Sequence, residues 1–425
     1  MKHIILYTLF LLILAGCKGK KQGVDTQNVS QIDSSQTEAT EPAPKPEPKP
    51  VIVAAEDTAA YFNLLKNKRV GLTGNATTVA FGGHLVDLLL DKGIKITKIY
   101  SPEHGFRGDA EPGKRVVSGK DEKTGIEVVS LFGKNLKPSA EHLKGIDIMV
   151  YDIQDVGCRF FTYISTMHNV MEACAENNIP VVVLDRPNPN IDYVAGPIRD
   201  KDAVSFVSLD PLPIVYGTTA GELANMINFE GWLKNGVKCD LTVIPVKNYT
   251  RHTRYAPPVK PSPNLPDYLA IRLYPSLCFF EATQVSVGRG TERPFTSIGY
   301  PDSTMGAYAF TPKEMPGMQT NPQHKGKKCY GMDFTNMNPD SIKFTLSYFI
   351  TMYNKFPKHD MINRKDFLKL LYGNGSLPTM LQQGKTEEEI IATWQPGLDN
   401  YLKIRAKYLI YDNSSLPTNV KNQQT

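Results

Sequence analysis

Apolar residues along this chain come in short β-branched runs, and each run breaks abruptly into a polar cluster. Ile94–Tyr100 leads into Ser101-Pro-Glu-His-Gly-Phe-Arg-Gly108, Ile146–Tyr151 into Asp152-Ile-Gln-Asp-Val-Gly157, and Ile179–Leu184 into Asp185-Arg-Pro-Asn-Pro189. Continuous apolar runs of this length, separated by helix-period stretches, predict buried parallel strands. Lys68–Asn75 predicts a strand entering a turn, and Val237–Val246 a further strand. Gly83–Lys92 has apolar spacing suited to a helix packed on a sheet, and 160–178 predicts a helix starting near Thr162. It closes at Asn177-Asn178, where Asn suits a left-handed cap. Tyr216–Ala224 opens another helix, with a Thr N-cap and Glu222 in its first turn. This alternation predicts an α/β chain with a Rossmann-like doubly wound domain over 56–262.

After Tyr255 the texture changes. Pro257–Pro266 is stiff and irregular, and reads either as a linker or as a loop folded over the site. Residues 263–425 read as a smaller α+β auxiliary domain that contributes loops to the site. Chain length supports two domains, since the about 370 residues beyond residue 55 exceed one typical core.

The first 55 residues belong to neither domain. Ile4–Leu14 is too short to span a bilayer as a helix, and Leu14-Ala-Gly-Cys17 has the lipobox pattern of bacterial lipoproteins. Residues 1–17 are therefore expected to be a signal peptide, with Cys17 lipidated after cleavage. Two or three acyl chains hold a protein where one is marginal. Residues 18–55, with Glu41–Pro50 alternating Pro and charge, read as a semi-rigid tether. Lys18 after the Cys, rather than Asp, points to a periplasm-facing outer-membrane lipoprotein of a Gram-negative bacterium.

Composition narrows the function classes. Net charge is +5 on 425 residues, without a Lys/Arg stripe interleaved with aromatics, so nucleic acid is not an expected partner. Neither a GxGxxG fingerprint nor a Walker loop is present, so no nucleotide is expected. The five cysteines besides Cys17 show no metal-ligand spacing. They read as buried free thiols, with one disulfide left open. No metal and no cofactor is expected.

Ligands of open parallel sheets bind outside the carboxyl ends of the strands. Glu103, His104, Arg107, Asp152, Asp155, Asp185 and Arg186 are therefore expected around one crevice. Farther along, Gly288 and Gly290 flank Arg289, with Ser286 and Thr291 beside them. An Arg so placed suits a ligand anion approached past close-packed backbone; a tight hairpin with a solvated Arg is the simpler reading.

These stretches together resemble the exo-β-N-acetylmuramidases of the NamZ family, lipid-anchored or secreted enzymes of peptidoglycan recycling. The resemblance rests on SPEHGFRG (101–108), YDIQDVGCRFFTY (151–163), LDRPNP (184–189), GPI (196–198), VYGTTAGELA (215–224), SPNLP (262–266) and FEATQVSVGRGTERPF (280–295). Cys158, Ala282 and Val287 depart from the pattern, where a small residue, Gly and sometimes Glu are usual. The resemblance implies release of N-acetylmuramic acid from the non-reducing end of peptidoglycan fragments, a Rossmann-like catalytic domain and a smaller auxiliary one.

Glycoside cleavage needs a proton donor and a group that handles the anomeric carbon, usually two carboxyls. Glu103 is the expected general acid/base, with capping or pairing to Arg107 as its structural alternative. Asp152 and Asp155 are expected as nucleophile, charge stabiliser or hydroxyl binder, against a plain strand-end role. The lactyl carboxylate of muramic acid calls for a guanidinium, from Arg107, Arg159, Arg186 or Arg289. His104 would orient Glu103 or touch sugar; Tyr163 would stack or hydrogen-bond. Asp185, Asn188 and Thr291 complete the expected sugar contacts, and Glu281 is a weaker second carboxylate. Two other classes stay open. One is a metal-dependent deacetylase or amidase using His84, His104 and Asp ligands. The other is a non-catalytic lipid-anchored muropeptide-binding protein.

Overall fold

A computed structural model describes residues 49–107 and 118–411 of the chain. The expected signal peptide, the lipidation site Cys17 and residues 18–48 of the expected tether lie outside the described residues; its last stretch is part of the fold instead, since Val53, Ala54 and Ala55 are buried against the sheet and Ile52 bridges to Lys247. The strands of the first half are β1 (Arg69–Gly74), the hairpin pair β2 (Val79–Ala80) and β3 (Gly83–His84), β4 (Lys95–Ser101), β5 (Gly119–Lys120), β6 (Glu127–Ser130), β7 (Ile148–Asp152), β8 (Val181–Leu184) and β9 (Leu241–Ile244). Seven of them form one sheet in the order β5-β6-β4-β1-β7-β8-β9. Every pairing is parallel except the edge strand β5 against β6. Leaving out β5, the chain walks outward from β1 through β4 to β6, then returns to β7 beside β1 and continues to β9. That is the doubly wound order, and its switch point lies between β1 and β7.

Burial explains why these runs became strands. All of β7 and β8 are buried, as expected of central parallel strands covered on both faces. Gly71 in β1 is closely packed, since a Cβ there would stand 3.0 Å from the side chains of Met149 and Tyr100. Helix α1 (Thr58–Leu65) leads into β1, and α2 (Leu85–Asp91), α3 (Ala140–Leu143), α4 (Tyr163–Glu176) and α5 (Ala220–Phe229) lie between successive strands. Helix α4 starts where expected, and Asn178 just past its end is left-handed at φ 55°. Helix α5 is capped by Thr219, whose side chain accepts from Glu222 N while Glu222 reaches back to Thr219 N.

Three details differ from expectation. Gly83 and His84 belong to β3, and His84 serves as the N-cap of α2, its Nδ1 accepting from Val86 N. The strand expected over 237–246 shrinks to β9. The Asn228 side chain takes both the N–H and the C=O of Cys239, which a longer strand would have needed for pairing. β6 and the β2–β3 hairpin were not foreseen, being too short to show a period.

The second half starts with α6 (Tyr268–Leu277) and holds an antiparallel sheet, β10 (Ser297–Tyr300), β12 (Cys329–Asp333) and β11 (Tyr308–Phe310) in that spatial order. Among the described residues five further helices follow, the last of them at Gln395–Ala406. One apolar cluster runs from Tyr100 and Met149 on the sheet through Leu273, Phe279 and Phe349 to Tyr401, so the core crosses position 262. The opposite face of the sheet packs separately around Val53, Leu72, Leu89 and Val150. Cys158, Cys174, Cys239, Cys278 and Cys329 are all free and buried. Among the described residues no helix is long and apolar enough to cross a membrane.

Candidate functional site

The crevice opens where β1 and β4 end. The loop after β1 is built by its own side chains: Asn75 Oδ1 accepts from Thr77 N at 2.9 Å and from Thr77 Oγ1 at 2.6 Å. Thr77 Oγ1 in turn accepts from Gln154 N at 2.9 Å, which ties this loop to the segment after β7. After β4 the chain turns sharply, with Gly105 N donating to Pro102 O at 3.3 Å. His104 sits inside that turn at φ 73°, in the left-handed region where glycine is usual. Holding a His there costs about 1–2 kcal/mol, and such outliers persist where the surroundings over-determine them. The His104 ring reaches Ser262 Oγ, with Nε2 at 3.3 Å.

Glu103 precedes His104 on this turn and is half-buried. Its charge lies near the Tyr163 phenol, whose pKa is raised first by burial and then by Glu103. Tyr163, the first residue of α4, donates its hydroxyl to Pro261 O at 3.1 Å. The Pro-rich segment is thus a loop folded over the crevice, tied at Pro261 and Ser262. Beneath it lies a cavity of about 170 Å³ lined by Asn75, Thr77, His104, Arg107, Tyr163 and Lys260.

Two cations line this cavity, and their surroundings differ. Arg107 is gripped by Asp121, Nε at 2.9 Å and Nη2 at 2.8 Å, with Asp87 at 3.5 Å from Nη1. The Arg107 hydrogen bond is the main cause holding the Asp121 carboxyl down at about 2. Lys260 is exposed and forms neither an ion pair nor a hydrogen bond with the described residues.

The strand-end aspartates tell a different story. Asp152 is fully buried with both oxygens in the fork of Arg186, Nη2 at 2.8 Å from Oδ2. Arg186 Nη2 also donates to Val79 O at 2.8 Å. Burial works against the Arg186 charge, but Asp152 more than compensates and raises its pKa. Asp155 accepts from Gly157 N at 2.7 Å and from the Tyr216 hydroxyl, and burial pushes it up to about 6. Its other oxygen, Oδ1, is buried without a partner. Asp185 accepts from Thr219 Oγ1 and the Tyr411 hydroxyl, each at 2.6 Å, and from Gly221 N at 2.8 Å. Burial pushes it, too, up to about 6. Asn188 donates to Thr218 O and accepts from Asn190 N, each at 2.7 Å.

These placements correct several expectations. Asp152, Asp155, Asp185 and Asn188 are fully or almost fully buried and brace the backbone under the crevice; none lines the cavity that holds His104 and Tyr163, and the half-buried Glu103 stands beside that cavity, next to its lining residue His104, without lining it. Arg159 is buried, with Nη1 on Pro197 O at 2.8 Å and on Leu212 O, and Nη2 on Leu371 O at 3.0 Å. It ties the two halves of the chain together instead of presenting a fork to a carboxylate, and burial lowers its pKa to about 9. Glu281 and Arg289 pair with each other, Nε at 2.9 Å and Nη2 at 2.6 Å from Oε1. They line a separate groove of about 360 Å³ with Ser286, Gln319, Gln323 and Arg364. Thr291 Oγ1 donates to Gly288 O at 2.7 Å and so closes its own turn.

A second groove, of about 440 Å³, adjoins the cavity and shares Val259 with it. Arg186 lines this groove beside Glu56, Val79 and Tyr255. Glu56, Tyr255 and Lys260 were not foreseen as site residues. The Pro-rich composition flagged the neighbourhood of Tyr255 and Lys260, whereas Glu56 carried no signal. Regarding metal ligation, both ring nitrogens of His84 are engaged, with Val86 N and Asn75 O. Among the described residues no three His, Cys, Asp or Glu side chains converge to hold an ion.

Comparison with known proteins agrees with this architecture. Residues 70–269 match the family model for the N-terminal part of the exo-beta-N-acetylmuramidase NamZ, and residues 272–411 that for its C-terminal part. The peptidoglycan beta-N-acetylmuramidase NamZ of Bacillus subtilis (strain 168) is 39% identical over 386 residues, covering 85% of this chain and 92% of that protein. A crystal structure of a DUF1343 family protein from Bacteroides fragilis superposes with a TM-score of 0.79 at 43% identity, covering 86% of this chain and all (100%) of that one. Another from the same organism gives 0.75 at 29% identity, covering 85% and 99%.

Proposed function

The chain belongs to the NamZ family of exo-β-N-acetylmuramidases, peptidoglycan glycosidases, and from that premise we propose that it releases N-acetylmuramic acid with Glu103 as general acid/base. The observation that carries the assignment of Glu103 is its position. It stands half-buried on the strained turn after β4, beside Tyr163, at the carboxyl edge of the sheet where a roofed cavity has formed. A carboxyl with restricted solvent access is suited to shuttling a proton to a glycosidic oxygen.

Asp152 and Asp155 are engaged by Arg186, Tyr216 and Gly157, so the second role passes to the substrate. The acetamido oxygen of the sugar attacks its anomeric carbon as the glycosidic C–O bond breaks, and Glu103 protonates the leaving oxygen. Water then opens the bicyclic intermediate, giving its proton back to Glu103, with configuration retained. Substrate assistance of this kind is an established variant of glycoside hydrolysis. Lys260 supplies the charge for the lactyl carboxylate, because Arg107 already holds Asp121.

Incubation with a glycan that ends in N-acetylmuramic acid should free that sugar, and a glycan ending in N-acetylglucosamine should survive. A thiazoline derived from muramic acid should inhibit competitively. Release from both glycans, or from neither, would sink the reading; inversion of configuration would sink the acetamido route alone.

The same proposal extends to location. Leu14–Cys17 supports a lipid anchor, and Lys18 supports a periplasm-facing outer-membrane position. Cys17→Ser should move the protein out of the membrane fraction, and equal recovery of both forms there would defeat the anchor.

A further inference from the structure

The β2–β3 hairpin holds a residue that is wrong for its turn. Val79 pairs with His84 and Ala80 with Gly83, so Phe81 and Gly82 form a two-residue turn. Both are left-handed, at φ 51° and 78°. A two-residue hairpin with both central residues left-handed favours Asn-Gly or Asp-Gly. A bulky aromatic there is a true outlier. Phe81 is also 64% exposed, so its ring gains little from burial. A residue that is unfavourable both in backbone and in solvation points to a role outside the fold.

The hairpin stands at the larger groove. Val79, Ala80 and Gly82 line it, together with Glu56, Tyr255 and Val259. Phe81 N donates to Glu56 Oε1 at 3.0 Å, which sets the tip of the hairpin against one wall. Val259 belongs to the cavity as well, so the groove continues from the cavity past the Pro-rich loop. Its chemistry differs from the cavity's. It offers a half-buried tyrosine ring, one carboxylate, one guanidinium already neutralised by Asp152, and small apolar side chains. Rings present a face to the C–H edges of a pyranose, and Glu56 offers an acceptor to its hydroxyls. No cation in the groove is left unneutralised to favour an acid. The lining therefore suits a neutral amino sugar better than muramic acid.

We propose that this groove is the subsite for the leaving part of the glycan, holding the neutral sugar next to the scissile bond, with Tyr255 on its wall and the exposed Phe81 as an aromatic platform at its rim, between the lining residues Ala80 and Gly82. The proposal rests on the glycosidase reading and gives that enzyme's crevice a direction. N-acetylmuramic acid lies under the Pro-rich loop, and the rest of the chain leaves past the hairpin.

The test uses two substrates of the full-length enzyme. One is the disaccharide of N-acetylmuramic acid and N-acetylglucosamine; the other is β-N-acetylmuramyl fluoride, whose leaving group is a single atom. Phe81→Asn places the favoured residue in the turn and should raise Tm. It should lower kcat/KM for the disaccharide by about five- to tenfold, the range of one aromatic contact, and leave the fluoride within about twofold. Tyr255→Ala should show the same split, and the double variant a larger one. Unchanged disaccharide kinetics in the double variant would overturn the proposal. An equal loss on both substrates would also overturn it, because the groove would then hold the sugar that is released. A wild-type enzyme inactive on both substrates would reject the glycosidase reading instead.

Discussion

Two strand ends of this sheet look alike in sequence and behave in opposite ways. After β4 the chain makes a strained turn that leaves Glu103 half-buried and puts His104 against the Pro-rich roof, with Arg107 on the wall of a cavity. After β7 and β8 the acidic residues fold inward and are met by donors: Arg186 on Asp152, Tyr216 on Asp155, Thr219 and Tyr411 on Asp185. Both regions satisfy the rule that polar clusters gather at the carboxyl ends of parallel strands. One has the makings of a site, and the other is the fastening beneath it. The difference lies in what the rest of the chain brings to each end. A prolyl loop leaves a gap over β4, whereas helix α5 and Tyr411 seal β8.

The contrast is sharpest in how each region should respond to losing a carboxylate. Glu103→Gln keeps size and much of the hydrogen bonding but cannot deliver a proton, so kcat should fall by about 10²–10⁴-fold. Tm should stay within about two degrees of wild type. A variant that keeps more than about a tenth of wild-type kcat would make Glu103 a positioning residue.

Asp152→Ala should do the reverse. It leaves the Arg186 guanidinium buried and unpaired, which typically costs about 3–5 kcal/mol. Chemical denaturation should report that loss, while the protein that remains folded should retain turnover. A stable but inactive Asp152 variant would erase the distinction between the two strand ends.

The third prediction concerns acid. Asp155 titrates near 6 in the fold because it is buried, against about 3.9 in an unfolded chain. The native state therefore holds this proton between about pH 4 and 6 while the unfolded chain releases it. The stabilising contribution is complete below about pH 4 and is lost as pH rises through 6. Two pH units correspond to about 3 kcal/mol. Asp155→Asn removes the titration, so its stability relative to wild type should increase by roughly that amount from pH 4 to 7. A difference that does not change with pH would mean that the carboxylate is solvated.

The smallest effect belongs to the roof. Lys260→Ala should raise KM for muramic substrates by about two- to fivefold with kcat nearly unchanged, the scale of an exposed charge pair. An equal change in the binding of uncharged sugars would remove Lys260 from lactyl recognition.

Much of the sheet was readable because β-branched runs of four to seven residues leave few alternatives once they alternate with helices. The turn after β4 was readable for the same reason, as the place where one such run stops. Burial of the aspartates was not, because it depends on partners far along the chain: Tyr216 for Asp155, and Tyr411, 226 residues away, for Asp185. A strand-end Asp that hydrogen-bonds and one that meets a ligand are spelled the same way. Glu56 was hidden because it sits in a short 3₁₀ turn without periodicity, 25 residues from the hairpin tip that it meets at the groove. Phe81 was hidden because an aromatic followed by two glycines gives no hint of a positive φ at the aromatic.

The fastening of β8 sets a condition on how the chain can be made. The Tyr401 hydroxyl donates to Tyr216 O and Arg405 to Gly217 O, while the Tyr411 hydroxyl accepts from Val246 N and donates to Asp185. Ile410 N reaches Glu222 Oε1, the same oxygen that pairs with Arg251. Synthesis runs from the other end, so the sheet, the crevice and α5 all emerge before any of these donors. Until Ile410 and Tyr411 dock, two buried carboxylates, Glu222 and Asp185, lack part of their partners, a state that proteases and chaperones recognise as open. Residues 401–411 therefore work as a completeness check: a chain ended before them carries every residue of the crevice and still cannot close its floor.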